Sequence, residues 1–138
     1  MDNSNLGDRI LARRSATVDD GADALDEYGA YACVRGIKDR CLMIDFRFLN
    51  GKREAFAYSM LEQVTFEPSE GMMLRFLGVK VLVRGRNFAV LSSNGVSLLE
   101  AIHRHRVPWL REVEEFRGKT QAKDTVVVMK IEITREEK

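Results

Sequence analysis

The stretch Cys41–Tyr58, CLMIDFRFLNGKREAFAY, decides the fold. Up to Leu49 apolar and polar side chains alternate, so Leu42, Ile44, Phe46 and Phe48 fall on one face of an extended chain, the period-two signature of a half-buried strand. Asn50-Gly51 follows, and both residues tolerate the positive φ that a tight type I′ turn demands. A two-residue turn sets Leu49 opposite Lys52 and predicts the register: Arg47 faces Glu54, Phe46 meets Ala55 and Ile44 meets Ala57. Opposite charges then share one face, and large residues meet small ones on the other.

Alternation extends to both sides. Upstream, YACVRG from Tyr31 reads as a strand and Lys38-Asp39 as a turn. Downstream, Phe56 and Tyr58 lead through Leu61 to a strand with Val64 and Phe66 inward. Pro68-Ser69-Glu70-Gly71 has the chemistry of a turn, with proline early and glycine late. MMLRFL then places Met72, Leu74 and Phe76 on one face, and after Gly78 the run VKVLVRG does so with Val79, Val81 and Val83. The prediction is five to six short antiparallel strands in a meander or small barrel.

Past Asn87 the period changes. Ser93 or Asn94 can cap a helix over residues 95–106 whose Leu98, Leu99 and Ile102 form an apolar stripe. Pro108 ends it and suits the first turn of a second helix, PWLREVEEFRG, with Trp109, Leu110, Val113 and Phe116 on one side and Gly118 as the stop. VPWLREV also fits an extended strand, because Val107, Trp109 and Val113 keep a period of two; the helix is preferred. KTQAKD is a polar linker. TVVVMKIEIT then reads as a separate final strand with Val127, Met129, Ile131 and Ile133 on one face, flanked by charges that guard an exposed edge.

The chain has 138 residues, enough for one domain with its own core. With 45% apolar and 31% charged residues it has the balance of a folded globular domain rather than of a disordered chain. No apolar run approaches a membrane span, and the first residues lack a secretory pattern, so a cytoplasmic protein without membrane contact is expected. Charge is unevenly placed. Residues 1–29 hold seven acids against three arginines, a balance of −4, so with a net charge of +1 the remainder holds +5. The chain therefore divides into an acidic, partly mobile leader at 1–29, a β-rich core with C-terminal helices at 30–118, and a linker with the last strand at 119–138. Within the leader, ADALDEYG can make a helical turn or two ending at Gly29. The leader can also lie across the basic stretch 80–111 and mask it.

Chemistry-bearing motifs are sparse. AIHRHRV, residues 101–107, holds both histidines, but His103 and His105 at i and i+2 point to opposite sides of a helix, and their arginine neighbours repel a cation. The wet, dipole-complementing end of a helix explains them better. No serine sits in a nucleophile elbow. Cys33 and Cys41 lie in apolar runs and are expected to be buried free thiols, with a disulfide across the short loop between them as the alternative. No nucleotide-binding loop is present. Neither an enzyme nor a bound cofactor or metal is expected.

VLVRGRNF, residues 81–88, ends three alternating apolar residues in Arg84-Gly85, where a sharp turn would display a guanidinium beside exposed amides. This resembles the second signature of Sm-like RNA-binding barrels, and the Asn50-Gly51 hairpin is similar to one in their first. AFAYSMLEQVTF lacks the Asp and Asn of that first signature, and the chain adds elements beyond a barrel. A meander closed by a helix is also similar to pleckstrin-homology-like modules. The expected fold is thus α+β: a small antiparallel meander or barrel, PH-like or Sm-like in architecture, covered by a C-terminal helix, plus the final strand. The expected function is a non-catalytic binding or assembly module, forming a homodimer or meeting a protein partner through that strand. The alternative is a phosphate-contacting nucleic-acid binder using Arg84, Arg86, Arg104 and Arg106.

Overall fold

A computed structural model describes residues 25–36, 39–114 and 123–136. The strands are β1 (Leu25–Glu27), β2 (Ala32–Val34), β3 (Met43–Arg47), β4 (Arg53–Ala57), β5 (Leu61–Glu67), β6 (Gly71–Phe76), β7 (Val79–Arg86), β8 (Trp109–Arg111) and β9 (Val127–Arg135). A 3-10 turn, Tyr58–Met60, joins β4 to β5, and the helix α1 spans Leu98–His103. Three sheets result: β9-β7-β6-β5, wholly antiparallel; β4-β3-β8, in which β3 and β8 run parallel; and the pair β1-β2. The architecture is mostly β with one short helix among the described residues.

The strands β3, β6 and β7 bury the faces that alternation assigns to them. Ile44 and Phe46 from β3 meet Met72, Leu74 and Phe76 from β6 and Val81 and Val83 from β7 in one core, capped by Leu98, Ala101 and Ile102 of α1. Phe46 stands edge-on to Phe76 at 6.4 Å between ring centroids. Leu42, expected on the same face, is 88% exposed. It precedes β3 at the corner, where its carbonyl accepts the Tyr58 N–H, and so lies past the end of the core.

The hairpin register differs from the expected one by a residue. Phe48 N–H donates to Lys52 O, Gly51 N–H to Phe48 O, and Lys52 N–H to the Asn50 side chain. The loop therefore holds three residues, with Gly51 at φ +94. Ile44 now faces Phe56, Phe46 faces Glu54, and Arg47 faces Arg53. A one-residue slip turns every side chain of β4 over. The two-residue register would send Phe56 to the outer face; the observed one stacks it on Phe76 at 5.1 Å and sends Ala55 and Ala57 out. Filling the core with an aromatic ring outweighs matching Arg47 to Glu54. Glu54 instead pairs with Lys52 and Arg135, and Arg47 with Asp45.

Three elements depart from the sequence reading. The helix is shorter than 95–106 because its cap is Ser97, whose hydroxyl accepts the Glu100 N–H in an S-x-x-E arrangement. Asn94 shapes the preceding turn instead, accepting the Val96 N–H. Within PWLREV, Trp109–Arg111 is a strand and the predicted helix is absent from the described residues of this stretch. β3 offers it a free edge, so that Asp45 N–H donates to Pro108 O and Glu112 N–H to Arg47 O, with Leu110 buried between the outward Trp109 and Arg111. Residues 115–122, which include Phe116 and Gly118, lie outside the described residues. Leu25–Glu27, expected to be helical, pairs with Val34–Ala32 as a strand; residues 1–24 of the leader, and with them the masking expectation, also lie outside the described residues.

The last strand is not separate. β9 completes the four-stranded sheet against β7, with a bulge between Val128 and Lys130. The bulge shifts the inward set to Val126, Val128, Ile131 and Ile133, so Met129 leaves the predicted face. Opposite it, Gly85 lies within β7 rather than at a turn. A Cβ there would stand 1.9 Å from Val127 O and 2.8 Å from the Phe88 ring. Glycine is needed because another backbone passes over it.

Gly85→Ala is therefore expected to lower stability by about 1–3 kcal/mol through overpacking and to speed amide exchange along β7 and β9. Gly51→Ala, with no atom within 4 Å of the added Cβ, should cost about 1–2 kcal/mol through its left-handed backbone alone, leaving that exchange unchanged. Urea denaturation with hydrogen exchange separates the two; an unaltered midpoint in Gly85→Ala contradicts the close approach.

Candidate functional site

The four arginines singled out by the sequence occupy different settings. Arg84 donates to Glu70 at 3.0 Å, with both side chains half exposed. Arg86, two residues on and so on the same face of β7, lines a cavity of about 210 Å³ with Phe66, Gly71, Gly85 and Asn87. Arg104 meets Glu100 one helical turn back at 3.8 Å. Arg106 is part of the frame: its guanidinium donates to the carbonyls of Val34, Arg35 and Gly36, holding the end of β2. The structure thus brings Arg84 and Arg86 to one strand end and engages Arg104 and Arg106 elsewhere.

The histidines also part. His103 sits exposed in the last turn of α1, while His105, with φ +59, stacks on Tyr58 at 4.5 Å. Tyr58 is buried and its hydroxyl donates to Val107 O at 2.8 Å. Burial pushes its phenol far above the ordinary range and that of Tyr31 up to about 12. Cys33 and Cys41 are free, and burial raises both thiols, which keeps them in the unreactive protonated form at neutral pH. Among the described residues no group of three or more His, Cys, Asp or Glu side chains is placed to hold a metal.

Several features escaped the sequence reading. Trp109, on the outer face of β8, lies under two guanidiniums, Arg47 at 4.6 Å and Arg111 at 4.9 Å. The signal was present in the spacing W-x-R, but only the parallel pairing of Arg47 with Arg111 brings the second cation in. Leu42, Met43, Met60 and Leu77 are exposed together at one end of the molecule, linked by Tyr58 N–H to Leu42 O and Leu77 N–H to Met60 O. Finally, two adjoining cavities of about 300 and 350 Å³ share Tyr28, Thr125 and Val126. Arg111 and Val113 complete the first; Tyr31, Leu91, Ser92 and Asp124 help to complete the second. The Tyr28 hydroxyl is buried with no hydrogen-bond partner among the described residues.

The raised tyrosines set an alkaline limit. A phenol whose folded value exceeds its unfolded value of about 10 contributes stability that is fully present below that pH and is lost as pH rises toward the folded value. Urea midpoints should stay level through neutral pH, then fall from about pH 10 toward 12, where Tyr31 titrates in the fold. Tyr58→Phe should reduce the slope of that fall while costing about 1 kcal/mol at neutral pH for the lost bond to Val107. A flat profile above pH 10 contradicts the burial of both groups.

Comparison with known protein families, with curated proteins and with solved structures gives no match for this chain.

Proposed function

We propose that the protein is a non-catalytic assembly module, built on a small barrel-like fold of the PH-like or Sm-like kind, that pairs with a second copy of itself through the outer edge of β9. One observation carries this reading: β9 ends the four-stranded sheet, and among the described residues its outer edge is capped only as far as Ile131. There Val128 O accepts the Val113 N–H, and Ile131 N–H donates to the Glu112 carboxylate. Glu136 N–H, by contrast, points inward to Gly78 O. Alternation between these fixed points turns the N–H groups of Ile133 and Arg135 outward, where no strand of the described residues pairs with them. Such an edge templates another strand.

A two-fold pairing centred on Ile133 sets Glu132 opposite Thr134 of the other copy within this edge, and beyond it brings Lys130 toward Glu136, a carboxylate that also pairs with Arg75 of its own chain. A four-residue edge alone buries less than the roughly 1,000 Å² a stable contact needs. The exposed apolar end adds to it, since Gly78, next to Leu77, is the partner of Glu136.

Arg135→Pro removes one outward N–H, and Arg135→Ala removes the same side chain but keeps that N–H. Light scattering across a dilution series should find the full chain and Arg135→Ala dimeric and Arg135→Pro monomeric. A monomeric full chain, or a dimeric proline variant, removes the proposal.

A second reading, a phosphate-contacting nucleic-acid binder, rests on Arg86 lining a cavity beside Gly85 and two aromatic rings, Phe66 and Phe88. In that case the affinity for a labelled single-stranded RNA should fall with salt with a log–log slope of about −0.7 per phosphate contacted, and Arg86→Gln should make the slope shallower. Retention that does not respond to salt speaks against it.

A further inference from the structure

We propose that the cleft between the Tyr28–Ala30 turn and the start of β9 is a binding site for a small apolar monocarboxylate. The cleft exists because β8 serves two neighbours that diverge. Arg111 N–H donates to Ala30 O and Leu110 bridges Tyr31, while two residues on Val113 N–H reaches Val128 O. Between these anchors the turn and β9 part, leaving a cavity of about 300 Å³, at the lower end of the size of small-ligand sites.

Its lining is chemically one-sided. Arg111, Tyr28 and Thr125 bring a guanidinium and two hydroxyls, and the acceptor Gly29 O already takes two N–H groups of Arg111, at 2.9 and 3.2 Å. Among the described residues no Asp or Glu side chain lines this cavity. The remaining wall is apolar, with Val113, Val126 and Val128. A cation and hydroxyl donors facing an aliphatic wall select an oxyanion on an apolar stem. Arg111 is held in advance: Gly29 O fixes one side of its guanidinium and the Trp109 ring supports its face. The buried Tyr28 hydroxyl, without a partner among the described residues, is the independent sign of a missing acceptor. Asp124, in the adjoining cavity, sets the polarity: the carboxylate lies at the Arg111 end, and the stem runs along β9.

The test uses hexanoate as the probe and hexanamide as its uncharged counterpart, followed by amide resonances of the full chain. Hexanoate should move the signals of Val126 to Val128 and of Arg111 saturably. Hexanamide should bind about tenfold more weakly, because charge-assisted bonds to a guanidinium exceed neutral ones. Tyr28→Phe should weaken hexanoate about fivefold, the worth of one hydrogen bond, with the rest of the spectrum unchanged. Thr125→Val provides the same comparison should Tyr28→Phe not fold. Absence of saturable movement with hexanoate, equal responses to acid and amide, or unaltered binding in both variants would each overturn the proposal.

Discussion

The carboxylate of Glu112 holds the two larger sheets together. One oxygen accepts the Leu49 N–H at the β3–β4 hairpin, and the other accepts the Ile131 N–H in the middle of β9, each at 2.8 Å. An ionised acceptor makes both bonds stronger than their neutral equivalents. The main chain on either side joins in, with Glu112 N–H on Arg47 O and Val113 N–H on Val128 O. Three residues, Arg111 to Val113, therefore bond to the β1–β2 turn, to β3 and to β9. A helix here would turn its N–H groups back on itself and leave the seam between the sheets unpaired. The strand is imposed by its neighbours' vacant edges, which outweigh the local fit of Pro108 and the apolar spacing.

The same logic explains what was legible in the sequence. Met72, Leu74, Phe76, Val81 and Val83 are buried as alternation predicts, because a regular strand carries its face assignment in its own sequence. Phe56 was misplaced because its direction depends on how many residues the loop holds, and Asn50-Gly51 serves a three-residue loop as readily as a two-residue one. The choice was made at a distance, by the Phe46 and Phe76 rings that receive Phe56. The cap of α1 was legible in Ser97 and Glu100 but was masked by the earlier Ser93 and Asn94, which also have capping chemistry.

For the candidate sites the balance is different. Residue type and spacing singled out Arg84, Arg86, Arg104 and Arg106, yet charge along a chain does not say whether a guanidinium will face solvent or its own backbone. Arg106 ends in three carbonyls, a fate set by where residues 34–36 happen to pass. The Tyr28 cleft joins residues a hundred positions apart, and none of Tyr28, Arg111 and Thr125 stands out in its local sequence. Gly85 is required for close packing of two strands, not for a turn that presents Arg84.

A single irregularity, the bulge between Val128 and Lys130, ties these features together. Before it, even-numbered residues of β9 turn their side chains inward; after it, odd-numbered residues do. Val126, Val128, Ile131 and Ile133 thus all reach the core, which an unbroken strand of this sequence cannot achieve. The bulged backbone needs room, and Gly85 supplies it. Before the bulge Val128 O is held by Val113 N–H beside the cleft, and after it the strand runs on past Ile131, the last residue that Glu112 reaches. Met129 is the one residue that puts Val126 and Val128 out of phase with Ile131 and Ile133; deleting it would leave a regular strand with all four on one face, so the bulge is how the chain absorbs that residue without losing either pair from the core.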